Sequence, residues 1–398
     1  MKKNILYIVI ILIVISNLSV KAQPYEIGLR AVAAFEVGNF ALAENLFDEA
    51  SKMPFDQIGL VKYRAQNYRK QQKNEQALAL YTNASASNAG FYSFEIAECY
   101  ALLGNATKAV EFLKTNRSSN YKKSVQKIRN SSAFGLIENT EIWRKFMVEL
   151  KSNYTEDVLA KASYAIRYEK PYEAIDLLEQ VLKTTENKEV GLQLAKAYLL
   201  SGKPAEALKL LKSSNLASAE YYELLAEAEQ KTGNYEAALQ SIFKLKAIEP
   251  YQLSHNLTAA NLALKLKNFE LATGFADTFL LYFPAKKEAL LLKAEVCMQS
   301  ESMLAALQIY NSLLSKEPIN NELLICRGKA YSKTTTWQRA ETDFSMALDV
   351  NPKQGEVFYL RGVARINQRK TAEACMDWKQ AQRLNFREAT AKLQQYCE

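Results

Sequence analysis

Four of the eight prolines in this 398-residue chain fall at Pro250, Pro284, Pro318 and Pro352, each 34 residues after the last. Proline lacks the backbone N–H and clashes with the preceding turn, so it stops a helix. A stop signal at a fixed period means one supersecondary unit laid down repeatedly, and this restricts the fold more than any other feature. With only 13 glycines, the chain is also poor in the turn residues that a many-stranded β protein needs.

The residues between the prolines repeat as well. In the unit ending at Pro352, Gly328 and Tyr331 lie in a first helix and Ala340, Phe344 and Ala347 in a second. The unit ending at Pro318 has Ala294, Cys297, Ala306, Tyr310 and Leu313 at these positions. The unit ending at Pro250 has Ala226, Glu229, Ala238, Ile242 and Leu245, with Gly233-Asn234-Tyr235 as the turn. Small residues let two antiparallel helices approach closely, and the ring or aliphatic side chain that follows fills the space to the next unit.

This pattern resembles the tetratricopeptide repeat. The resemblance implies an all-α, right-handed superhelical solenoid of antiparallel helix pairs, with about ten repeats and one irregular break. Three units mark an N-terminal array over residues 24–121, and seven more mark a C-terminal array over 155–388. Residues 122–154 form an irregular spacer with a capping helix, and residues 389–398 close the chain with the end of a terminal helix. In the spacer, Trp143, Phe146, Met147 and Leu150 recur at i, i+3, i+4 and i+7, the spacing of one helix face. Thr140 is placed to cap that helix over 140–152. The basic run Arg117, Lys122, Lys123, Lys127 and Arg129 is either a solvated face or a patch for an acidic partner.

Residues 1–22 read as an export signal. Lys2 and Lys3 precede an unbroken apolar run from Ile5 to Ile15, and Val20-Lys21-Ala22 offers small residues at the two positions a signal peptidase reads. Cleavage after Ala22 would place the protein in the periplasm or outside the cell; an uncleaved segment would anchor it to the membrane. Losing Lys2, Lys3 and Lys21 reduces the formal +8 to 48 basic against 43 acidic residues, a net of +5. That charge is too diffuse for a nucleic-acid footprint.

The chain has one histidine, His255, so catalysis by a histidine pair and metal binding by several histidines are excluded. No cofactor is expected. With the chain consumed by repeats, the expectation is a non-catalytic interaction scaffold or adaptor of the bacterial cell envelope. The resemblance implies that first helices line a concave groove that takes a peptide or partner protein. The side chains it points inward include Lys62, Arg69, Lys70, Tyr164, Arg167, Tyr168, Glu220, Glu223, Glu227, Asn261, Lys265, Lys329 and Tyr359. Leu192, Leu199, Leu257 and Leu291 fall at inward positions too, which predicts a partly apolar groove. The family's carboxylate-binding adaptors need a lysine where Leu257 stands, so that subtype is not indicated.

Five cysteines occur without a CxxC pair, which gives no sign of a metal site. The resemblance extends to the closing segment of exported members, where a terminal helix covers the last repeat. An oxidising compartment would permit a Cys375–Cys397 bridge there, and the sequence leaves the two thiols bonded or free.

Overall fold

The computed structural model describes residues 24–52, 58–86, 90–185, 187–214 and 216–397. The expected export segment lies outside them. Among the described residues all regular structure is helical, and no helix is long and apolar enough to cross a membrane. The chain forms two compact units, divided between His255 and Asn256.

The first unit opens with three helix pairs: α1 (residues 24–36) with α2 (Phe40–Ser51), α3 (Ile58–Lys70) with α4 (Asn74–Ser85), and α5 (Ser93–Leu102) with α6 (Ala106–Ser118). A spacer follows, made of α7 (Val125–Arg129), a 3₁₀ turn (Ser132–Phe134) and α8 (Glu141–Glu149). Three more pairs complete the unit: α9 (Tyr154–Arg167) with α10 (Pro171–Leu182), α11 (Lys188–Leu200) with α12 (Pro204–Ser214), and α13 (Ala219–Lys231) with α14 (Tyr235–Ile248).

The spacer substitutes for a repeat by burying its own apolar face. Val125, Ile128, Phe134, Ile137, Trp143 and Phe146 join Phe94, Ala97, Val110 and Leu113 of α5 and α6 in one core. The Phe134 and Trp143 rings stack at 4.9 Å. Thr140 caps α8, its side chain accepting from the Trp143 N–H, as the spacing predicted; the helix ends at Glu149 rather than 152.

The two ends of this unit meet. Tyr25 donates its hydroxyl to the Pro250 carbonyl at 2.8 Å, and Tyr63 donates to Gln252 Oε1 at 2.7 Å. Tyr251, only 3% exposed, packs its ring 5.3 Å from that of Tyr25. It also lies against Gly28 and Gly59, where a Cβ would come within 2.8 and 3.1 Å of the ring. Helices α1 to α14 therefore close on themselves. The repeat pattern alone carries no sign of this closure.

The second unit continues the pairing: α15 (Ser254–Lys265) with α16 (Phe269–Tyr282), α17 (Lys287–Gln299) with α18 (Met303–Leu314), α19 (Asn321–Lys333) with α20 (Trp337–Val350), and α21 (Gly355–Ile366) with α22 (Thr371–Arg383). Helix α23 (Glu388–Tyr396) lies over the last pair, with Ala389 and Leu393 in one core with Ala374, Trp378 and Ala381. Cys375 and Cys397 are disulfide-bonded, with Cα atoms 5.8 Å apart.

Each period-34 proline sits in the link from one pair to the next. The turn inside each pair is also periodic. Gly233, Lys267, Glu301, Thr335 and Arg369, 34 apart, all have positive φ. The residue after each donates its N–H five residues back, as in Asn268→Ala263 (2.9 Å) and Thr336→Tyr331 (2.9 Å), which ties off the last carbonyls of the first helix. Four of the five are not glycine, so the turn is held against a cost of about 1–2 kcal/mol per side chain.

Candidate functional site

The spacer is shaped by two consecutive residues at the end of α6. Asn116 is fully buried; its amide donates to Ser93 Oγ and the Tyr121 carbonyl, both at 3.1 Å, and its Oδ1 accepts the Lys123 N–H at 2.8 Å. Next to it, Arg117 bonds the Lys123 carbonyl at 2.9 Å and clamps both oxygens of Glu156 in the first turn of α9 at 2.8 and 3.2 Å. The loop is thereby folded back and fixed to the following repeat. Ser124 then caps α7, a helix of five residues.

Because α7 is so short, it leaves a groove where a full helix pair would close the surface. On one side is a cleft of ≈ 450 Å³ against α9 and α11, whose lining includes Lys127, Asn130, Glu156, Tyr164, Arg167 and Gln193. On the other is a smaller one of ≈ 260 Å³ against α3 and α5, lined by Arg69, Glu98, Ser131 and Ser132 among others. Lys127 and Asn130 belong to both, so α7 contributes to the wall of each cleft.

Several charges in the groove are already paired. Glu98 accepts from Arg69 Nη1 at 2.7 Å and from Ser131 Oγ at 2.6 Å. Glu156 is held by Arg117. Glu189 is different: burial, then the nearby Glu220 and Glu156 carboxylates, raise its pKa, with Lys122 partly opposing them. Of the basic run, Arg117 is spent on Glu156, and Lys123 lies 3.8 Å from Glu95 and over the Phe94 ring. Lys127 and Arg167 have no ion-pair partner among the described residues.

The inward positions read from the sequence separate into groups. Tyr164 and Arg167 on α9 line the larger cleft, and Tyr168 packs its ring 4.4 Å from that of Tyr164, tilted by 38°; both tyrosines are more than half exposed. Arg69 lines the smaller cleft, while Lys62 and Lys70 are exposed on α3. Glu220, Glu223 and Glu227 are exposed on α13; Gln193 donates to Glu220 at 3.4 Å and Lys231 pairs with Glu227 at 3.2 Å. In the second unit, Asn261 and Lys265 are exposed on α15. There Lys329 pairs with Glu356 at 2.7 Å, and Tyr359 packs its ring 5.2 Å from Phe386. Of the four leucines expected at inward positions, Leu257 and Leu291 are half-buried, whereas Leu192 and Leu199 do not reach a groove. Both are buried (8% and 2% exposed) in a core with Ala195, Leu211 and Tyr221, because their side chains turn to the neighbouring pair.

Sequence reasoning missed a further set. Lys293, Arg327 and Arg361 are 34 apart on successive first helices of the second unit. Arg327 clamps Asp343 at 2.8 and 2.7 Å and reaches Asn311; Arg361 clamps Asp377 at 3.0 and 2.7 Å and reaches Ser345. Lys293 instead pairs with Asp277, and 309, the position equivalent to Asp343, is Ile309. The carboxylate thus sits 16 residues after the cation in two cases and 16 before it in the third. The Arg–Asp pairs tie the two helices of one repeat together, while Lys293–Asp277 and the bonds to Asn311 and Ser345 reach the preceding repeat. Asp343 and Asp377 are 2% and 3% exposed, which leaves no carboxylate oxygen for a partner.

His255 has Glu249 Oε2 3.2 Å from its Nε2. Among the described residues no group of three His, Cys, Asp or Glu side chains is placed to hold a metal ion.

Models of the tetratricopeptide repeat family match residues 64–115, 165–228 and 257–320. Among solved structures, the chain is similar to a tetratricopeptide repeat protein from Parabacteroides merdae at 20% identity, with 61% of this chain and 98% of that one covered and a TM-score of 0.49. The C-terminal part of a repeat protein from Cytophaga hutchinsonii aligns at 15% identity over 57% of this chain and 95% of that one, with a TM-score of 0.48. The Cut9–Hcn1 hetero-tetramer aligns at 15% identity over 92% of this chain and 82% of the other, with a TM-score of 0.47. A comparison with curated proteins finds no match.

Proposed function

The chain is a tetratricopeptide repeat protein, and from that premise we propose that it is a non-catalytic scaffold that holds a partner protein or peptide in the bacterial cell envelope. Export follows the N-terminal signal, and residues 1–22 are removed after Ala22. The observation that carries the scaffold reading is the groove over α7, an open polar surface that keeps Lys127 and Arg167 without ion-pair partners beside the exposed Tyr164. Other groove charges, Arg117–Glu156 and Arg69–Glu98, are held in structural pairs. Glu223 and Glu227, exposed on α13, present a second, acidic surface within the same unit.

The test is affinity capture from native envelope extracts with the full chain as bait, repeated with two charge reversals, Lys127→Glu with Arg167→Glu and Glu223→Lys with Glu227→Lys. Circular dichroism verifies that each variant is folded. The reading predicts a specific protein that one of the two reversals releases. An array that retains nothing, or retains the same set with every variant, sinks it. Edman sequencing of the exported protein examines the processing, with Gln23 expected as the first residue.

A further inference from the structure

We infer that the groove over α7 takes an extended, acidic peptide segment, its carboxylates set on Lys127 and Arg167. This rests on the scaffold reading above and specifies its partner.

The shape favours an extended chain. The two clefts flank a helix of about one and a half turns, and they share Lys127 and Asn130. Their walls offer amides and hydroxyls, notably Gln126, Asn130, Ser163 and Gln193. Such groups bond the exposed backbone of an extended segment. A docked helix has its backbone already satisfied and needs an apolar floor, which Leu159 and Ala160 alone do not make.

Charge selects the sequence. Glu98 and Glu156 are neutralised by Arg69 and Arg117. The carboxylate left over, Glu189, is exposed at the start of α11 beside Glu220 and Lys122. The cations left over are Lys127 and Arg167. Once those pairs are set aside, the groove presents two unpaired cations against one unpaired carboxylate, and a carboxylate bonded to either cation gains a charge-assisted hydrogen bond. Tyr164, with its ring backed by Tyr168 at 4.4 Å, gives a firm wall beside Arg167.

The experiment is selection of a random decapeptide display library on the immobilised full chain, followed by fluorescence anisotropy of the enriched peptides. Enrichment in Asp and Glu is expected. Lys127→Glu with Arg167→Glu should weaken those peptides at least about tenfold, Lys127→Gln less, and Lys145→Glu, on α8 outside both clefts, should leave them unchanged. Enriched peptides without acidic residues, or acidic ones indifferent to Lys127 and Arg167, overturn this assignment. If binding depends instead on Glu223 and Glu227, this site is wrong and the scaffold reading stands. Absence of any enriched peptide overturns this inference, while the scaffold reading is judged separately by capture of a folded partner. A labelled oligothymidine bound as tightly as the peptides would replace the peptide with a nucleic acid and overturn the inference too.

Discussion

Tyr63 and Gln252 are 189 residues apart in sequence and share a 2.7 Å hydrogen bond. That bond, with the burial of Tyr251 against Gly28 and Gly59, fastens the start of the first unit to its end. Removing a buried aromatic ring costs about 3–5 kcal/mol, whereas removing one hydroxyl costs about 1 kcal/mol. Tyr251→Ala should therefore release residues 24–36 to fast amide hydrogen exchange, while Tyr63→Phe leaves them largely protected. Equal protection in wild type and Tyr251→Ala would show that the closure contributes nothing.

The same clasp makes stability fall at high pH. Burial, followed by the charges of Glu249 and Glu36, pushes Tyr63 up to about 12, and burial also raises Tyr25. A tyrosine whose folded pKa is raised contributes stability that is intact below its unfolded value near 10 and is lost as pH climbs through the folded value. Between about pH 10 and 12 the unfolded chain gives up protons that the folded one keeps, so ΔG of unfolding should drop. Urea titrations across this range should show the decline, and it should be shallower in Tyr63→Phe.

Glycine substitutions should change stability in opposite directions at two helical sites. A Cβ on Gly362 would lie 2.5 Å from Trp378 Nε1, and the ring is fully buried with its N–H donating to the Tyr359 carbonyl. Gly362→Ala should therefore destabilise by about 1–3 kcal/mol through overpacking. A Cβ on Gly274, within α16, meets nothing within 4 Å, so Gly274→Ala should stabilise by about 0.5–1 kcal/mol. Thermal unfolding of the two variants decides; matching shifts would refute the steric account.

The contrast between Gly362 and Gly274 shows what can be read from one sequence. Gly328 and Gly362 stand on the 34-residue grid with Phe344 and Trp378, so their role as close-approach points is visible from periodicity. Turn positions 267, 301, 335 and 369 share the grid but hold Lys, Glu, Thr and Arg, which hides a common left-handed turn behind unrelated side chains. Ion pairs were hidden for a similar reason. Lys293 and Arg327 occupy one register while their carboxylates change sides, and only coordinates reveal the partner. For the candidate site, Tyr164, Arg167 and Arg69 came from the repeat register, and Lys127 from its basic run. Asn130, Glu189 and Gln193 carried no signal, because the groove arises where the pattern fails. The Tyr25–Tyr251 clasp is a contact between distant repeats, and a nearest-neighbour pattern contains no information about it.

Asp377 should be the most costly acidic residue to remove from the second unit. It accepts from Arg361 at 3.0 and 2.7 Å and from Arg365 at 2.9 Å, and its side chain is 4% exposed. Deleting it strands the Arg361 guanidinium, 15% exposed, and takes one of two carboxylates from Arg365, which keeps Glu341, at a cost of about 3–5 kcal/mol. Glu356, paired with Lys329 at an exposed position, should cost no more than about 1 kcal/mol when changed to Ala. Chemical denaturation of Asp377→Ala and Glu356→Ala would reveal the gap, and similar losses would mean that burial does not set the strength of these pairs.

The Cys375–Cys397 bridge closes a loop with a sequence separation of 22 and holds α23 against the last helix pair. Restricting the unfolded chain over a loop of this length contributes about 3 kcal/mol. Leu393 and Ala389 give α23 few buried side chains of its own, so the bridge is its main restraint. Reduction, or Cys375→Ser with Cys397→Ser, should expose α23 to proteolysis and lower the midpoint of the second unit's unfolding, with the 24–36 helix of the first unit still protected from exchange. If reduced and oxidised protein are cleaved at the same rate within residues 385–397, packing alone holds the terminal helix and the disulfide is dispensable.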